Sequence, residues 1–138
     1  MLQKEEVEKL LAEAYSAEMF LLGEMSYLYR GKLTHKLVMR SYMKNKTEKL
    51  CVNVEAQENL YPSAWEKMQE VAAAQVYNEE NYMICIVGSG VWNMNPALVE
   101  LHFHDTHMEI TAWAKEGIIK QHTAEKAIQI CLTALGLA

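Results

Sequence analysis

A chain of 138 residues, 51% of them apolar, can bury one core without disulfide or metal staples and leaves no room for a second domain, so residues 1–138 read as a single unit. Its net charge of −5 and pI near 5.5 argue against a general affinity for nucleic acid or an anionic membrane surface. No apolar run approaches the roughly 18 residues of a membrane span, and the acidic, amphipathic start MLQKEEVEKLLAEAY is unlike a secretory leader, so a cytoplasmic protein without membrane contact is expected.

Val7, Leu10, Leu11, Ala14, Ala17 and Leu21 fall at helical spacing, and Lys4/Glu8 and Glu5/Lys9 add i,i+4 pairs, which predicts a helix over 3–22. It stops at Gly23, or runs on to Arg30 and stops at Gly31, since Met25 and Leu28 extend the stripe. From Leu33 to Lys44, Leu33, Leu37, Met39 and Met43 alternate with Lys36, Val38, Arg40, Tyr42 and Lys44, the two-residue period of a half-buried strand. The basic residues at 32, 36, 40 and 44 would equally make a stripe on a helix. Polar Lys44-Asn45-Lys46-Thr47 turns the chain, and Leu50, Val52 and Val54 return it as a second strand.

Tyr61-Pro62 ends that strand, and Ser63-Ala64-Trp65-Glu66 fits a capping box opening a helix whose stripe of Trp65, Met68, Ala72 and Val76 carries to about Tyr77. YMICIV, 82–87, reads as a central strand buried on both faces. Strands over about 97–104 and 107–114 form a hairpin, and a last helix runs from Thr123, its N-cap, to a stop at Gly136. Cys51, Cys85 and Cys131 are odd in number, far apart and in apolar surroundings, so they read as reduced core thiols.

The expected fold is therefore α+β, a five-stranded, mainly antiparallel sheet with three helices in the order α-β-β-α-β-β-β-α. That order is similar to the roadblock and profilin-like domains, and the resemblance implies a dimerising scaffold or regulator. It rests on element order, and no site residue is carried over from it.

The densest chemistry lies in the hairpin, where His102, His104 and His107 fall within six residues. With Asp105-Thr106 as a two-residue turn, the pairs are His104/His107, Phe103/Met108, His102/Glu109, Leu101/Ile110, Glu100/Thr111 and Val99/Ala112. Apolar then meets apolar and polar meets polar, so one face is core and the other carries the histidines, Glu109 and Glu100. Neutral imidazoles with a carboxylate suit a divalent transition metal such as zinc, making His102, His104, His107 and Glu109 a candidate metal set, with Glu100 as a base for a metal-activated water. Against this, neighbouring positions on a regular sheet diverge, and a solvated hairpin tip explains the same residues.

His104-Asp105-Thr106 is half of a paired H-x-T motif, with no second copy in the chain. Gly88-Ser89-Gly90 follows a strand but does not lead into a helix that could hold a phosphate. Lys36, Arg40 and Lys44 with Tyr42 place basic and aromatic groups on one strand face, a nucleotide or nucleic-acid surface that more often is simply solvated. Trp113 has the parity of Glu109 and Thr111 and should emerge on the polar face, where a helix or a partner must cover it. No complete catalytic set or cofactor fingerprint is present, so the leading expectation is a non-enzymatic interaction or regulatory domain. It would form a homodimer and bind a protein or small ligand, with Lys36, Arg40, Tyr42, Lys44 and Trp113 as candidate contacts. A metal-dependent hydrolase at the histidines and a nucleic-acid binder at the basic strand are the alternatives.

Overall fold

The computed structural model describes residues 2–25, 32–55, 60–89, 95–117 and 120–137. Helices α1 (Lys4–Met25) and α2 (Lys32–Lys44) precede strand β1 (Lys46–Glu55) and helix α3 (Leu60–Met68). Strands β2 (Ala72–Glu79), β3 (Tyr82–Ser89), β4 (Asn95–Phe103) and β5 (His107–Glu116) and helix α4 (Thr123–Ala134) complete the chain. The strands form one antiparallel sheet in the order β1-β5-β4-β3-β2. Among the described residues, no helix is long and apolar enough to cross a membrane.

Alternation along the strands divides the sheet into two faces. Met83, Cys85, Val99, Leu101, Met108 and Ile110 point to one side and are sealed by Ala64 and Met68 of α3 and by Ala124, Ala127, Ile128 and Cys131 of α4. Ile84, Ile86, Leu98 and Trp113 point to the other, under Val7 and Leu11 of α1 and Tyr42 of α2. The molecule is thus three layers, helices on both sides of a central sheet.

The five-stranded antiparallel sheet is as the sequence predicts, but its membership differs by one exchange. Residues 32–44 are helical, not a strand. Tyr42 turns inward and lies flat on Tyr15 of α1, ring centroids 3.9 Å apart and planes 4° apart, a packing contact that goes with the 3.6-residue period and leaves the basic residues on the outer face. The helix expected over 63–77 is α3, which begins upstream at Leu60 and ends at Met68. Ser63 lies inside its first turn, its hydroxyl donating to the Leu60 carbonyl at 3.2 Å, in place of the capping box. Ala72–Glu79 is an edge strand hairpinned to β3 through Glu80 and Asn81, both at positive φ (55° and 62°), the twist a two-residue hairpin turn requires. The order among the described residues is consequently α-α-β-α-β-β-β-β-α, with four helices, and α2 followed by β1 replaces the hairpin that gave the roadblock-like order.

Helix α1 passes through Gly23 to Met25; the alternative stop at Gly31, like Gly90 and Trp92, lies outside the described residues. Gly136 ends α4 as expected, at φ 75°, with Leu137 N donating to Leu132 O at 2.8 Å. Thr123 is the first residue of that helix and not its cap, a place taken by His122. The Glu116 carboxylate accepts from the free amides of Gln121 (2.8 Å) and Thr123 (2.7 Å), and although burial opposes its charge, these bonds hold its pKa below the usual glutamate value.

Candidate functional site

The β4–β5 hairpin has the register that the sequence predicts, from Val99 opposite Ala112 through His102 opposite Glu109 to Phe103 opposite Met108. His104 N donates to His107 O at 2.9 Å, closing the turn. The face that carries the histidines is, however, half covered. Helix α1 lies over its upper part, burying Leu98 and Trp113, and Glu100 beneath it is only 1% exposed.

Trp113 therefore does not emerge toward a partner. Its Nε1 donates to Glu100 Oε2 at 2.7 Å, while Tyr82 OH (2.5 Å) and the Leu2 amide (3.3 Å) donate to Oε1. Glu100 is a buried, fully engaged carboxylate that ties the start of α1 to the sheet, and desolvation together with this bond raises the pKa of the Tyr82 phenol well above its ordinary value. The sequence could have suggested this role, because a covered tryptophan N–H needs an acceptor and Glu100 lies one strand away.

Beyond the start of α1 the face is open and holds the histidines. His102 packs edge-on against Tyr82, ring centroids 4.2 Å apart, and its Nε2 is buried without a partner. His104 and His107 stack on each other at 4.4 Å, and His104 lies 6.4 Å from His102. Glu109 accepts from the Cys51 thiol at 3.8 Å. Among the described residues no three His, Cys, Asp or Glu side chains gather into a group that could hold a metal. The flat sheet spreads them, as its geometry requires.

Lys36, Arg40 and Lys44 form an exposed i,i+4 stripe on α2, and Tyr42 leaves them for the interior. Tyr42, stacked on Tyr15, is not available beside these charges to stack on a base. Cys51 is exposed on β1, contrary to its reading as a core thiol. Cys85 and Cys131 are core thiols, and burial pushes Cys85 up to about 12 and Cys131 higher still, so neither is a ready nucleophile.

Two features escaped the sequence reading. One is a cleft of about 280 Å³ between α1 and β2, lined by Leu10, Ala14, Val76 and Ile86 with Glu13 among its walls. The other is the outer edge of β1. Strand β1 pairs with β5 over ten residues without a shift, from Lys46 opposite Glu116 to Glu55 opposite His107. Because His104/His107 is a bonded pair, alternation makes Leu98/Trp113, Glu100/Thr111 and His102/Glu109 bonded as well, and the even residues of β5 turn to β1. Leu50, Val52 and Val54 of β1 answer them. The amides and carbonyls of Lys49, Cys51, Asn53 and Glu55 consequently face outward, and among the described residues no strand pairs with them. Leu50 is 38% exposed beside them.

No protein-family model matches this chain, and no curated protein matches its sequence. A solved structure of an uncharacterized protein from Rhizobium leguminosarum is similar at a TM-score of 0.42 and 14% identity, over 68% of this chain and 95% of that one, a likeness too loose to bear on function.

Proposed function

We propose that this protein is a non-enzymatic interaction domain that engages a protein chain along the outer edge of β1 by adding a strand to its sheet. The observation that supports this is the state of that edge. A long, regular strand with outward-facing amides and an exposed leucine is a template for pairing, and proteins usually blunt such edges with bulges, prolines or a covering element. Strand β1 has neither bulge nor proline over its ten residues. The charged stripe of α2, His104 and His107 are solvated groups in this reading, and His102 on Tyr82 and the buried Glu100 network are structural.

The test is a photo-reactive residue in place of Glu48, beside the edge, against the same residue in place of Gln75 on β2. Irradiation in an extract of the source cells should give a discrete adduct from position 48 and none from 75. Asn53→Pro should abolish that adduct, since it removes an outward N–H without touching the ladder to β5. Adducts equal from both positions, or unaffected by Asn53→Pro, would contradict the reading.

A further inference from the structure

We propose that the chain added at β1 is a second copy of this protein, paired antiparallel about a twofold axis at Val52, with Lys49 of each copy opposite Glu55 of the other. This rests on the interaction reading above and names the partner. An axis normal to a continuous sheet keeps the two faces in place, so a residue can meet only residues of its own parity across the junction. Lys49, Cys51, Asn53 and Glu55 all turn their main-chain groups outward, so every such register matches donor with acceptor. Side chains must then choose among them.

An axis at Leu50 sets Glu48 against Val52 and Lys46 against Val54. An axis at Cys51 sets Glu48 against Val54, and Thr47, already bonded to Glu8, against Glu55. An axis at Val52 pairs Val52 with Val52, Leu50 with Val54, Cys51 with Asn53 and Lys49 with Glu55. Over residues 49–55, the part of β1 that overlaps in this register, apolar meets apolar and Lys49 meets Glu55, the criterion that also gave the correct register for the β4–β5 hairpin.

Exposure along the strip agrees. Leu50 is exposed and Val52 and Val54 are only half-buried under the helix layer, so a second copy would cover apolar surface that this chain leaves open. Lys49 is exposed, its ammonium 4.8 Å from the Trp113 ring centroid on the β5 side, so to meet Glu55 of the second copy it must swing outward from that ring. Helix α2 joins β1 at the far end, six residues and about 20 Å from the axis at strand rise, so the α2 helices of the two copies diverge. The junction would carry about eight main-chain hydrogen bonds. It is shorter than a standard interface of roughly 20–30 residues a side, so association is expected in the micromolar range or weaker.

Sedimentation equilibrium to several hundred micromolar tests this. The native protein should dimerise, and Lys49→Glu and Glu55→Lys should each weaken the dimer by about tenfold or more. An equimolar mixture of the two variants should restore it. In the mixed dimer the carboxylate introduced at position 49 faces the ammonium introduced at position 55, and the unchanged Glu55 of the first variant faces the unchanged Lys49 of the second. That restoration also shows that both variants are folded. A native protein monomeric throughout the range, or a mixture no tighter than either variant alone, overturns the proposal. If the native chain is monomeric but the adduct from position 48 contains another protein, the second-copy proposal fails and the interaction reading stands. If no dimer and no adduct form, both fail.

Discussion

The two edges of the sheet are built differently. Strand β2, eight residues long, pairs with β3 through two register shifts, between Ala72 and Ala74 and between Gln75 and Tyr77, and its Val76 and Tyr77 are 40% and 39% exposed. Bulges bend and twist a strand and interrupt the even spacing that a second strand would need. Strand β1 is longer, unshifted, and pinned at its Lys46 end, where Lys115, its side chain only 3% exposed, pairs with Glu8 of α1 at 2.5 Å and donates to the Asn45 carbonyl at 3.1 Å. One edge carries apolar side chains on an irregular backbone and the other on a straight, braced one. Exposure of apolar groups alone would not separate them; backbone regularity does.

The largest contrast should come from placing a charge on each edge. Val52→Asp sets a carboxylate against the core layer under α4 and at the axis of the proposed dimer, and is expected to cost about 2–3 kcal/mol in urea unfolding and to leave only monomer. Val76→Asp lies on the bulged edge at 40% exposure and should stay within about 0.5 kcal/mol without changing the assembly state. Equal costs would erase the distinction between the edges.

A smaller effect should come from the brace. Burial works against the Glu8 charge, but hydrogen bonds from Lys115 and Thr47 outweigh it and bring its pKa below the ordinary 4.5. A carboxyl whose pKa is lowered in the folded state stabilises that state fully above its unfolded value and stops doing so as pH falls through the lowered one. Glu8→Gln should therefore cost about 1 kcal/mol at pH 7 and flatten the decline in stability below pH 4.5, as read from unfolding midpoints across pH. Glu116 contributes to the same acid decline from the start of α4, so the variant should reduce that decline without removing it. A variant with an unchanged acid profile would show that the brace does not act on β1.

The sequence disclosed the interior of the fold better than its margins. Leu101, Phe103, Met108 and Ile110 alternate strictly against histidines and acids, so a slip of one residue would have reversed both faces, and the hairpin was legible pair by pair. Residues 33–44 satisfied both a two-residue and a 3.6-residue period. Only the stacking of Tyr42 on Tyr15, a tertiary contact, separates the two. Ala72, Ala73 and Ala74 carry high helix propensity and became strand because β3 offered an unpaired edge. The candidate metal set was legible as composition, but convergence of ligands is a property of three dimensions, and the described side chains do not converge. The outward parity of β1 depends on the turn at His104 and on two successive registers, so a strand pattern read in isolation could not reveal it.

Amide hydrogen exchange resolved by residue, on native protein at about 5 micromolar and at several hundred micromolar, tests the central claim most directly. The amides of Leu50, Val52 and Val54, bonded to β5, should be protected at both concentrations, while those of Lys49, Cys51, Asn53 and Glu55 should exchange fast in the dilute sample and gain protection in the concentrated one. Fast exchange at those four positions at both concentrations would contradict strand pairing between copies at β1.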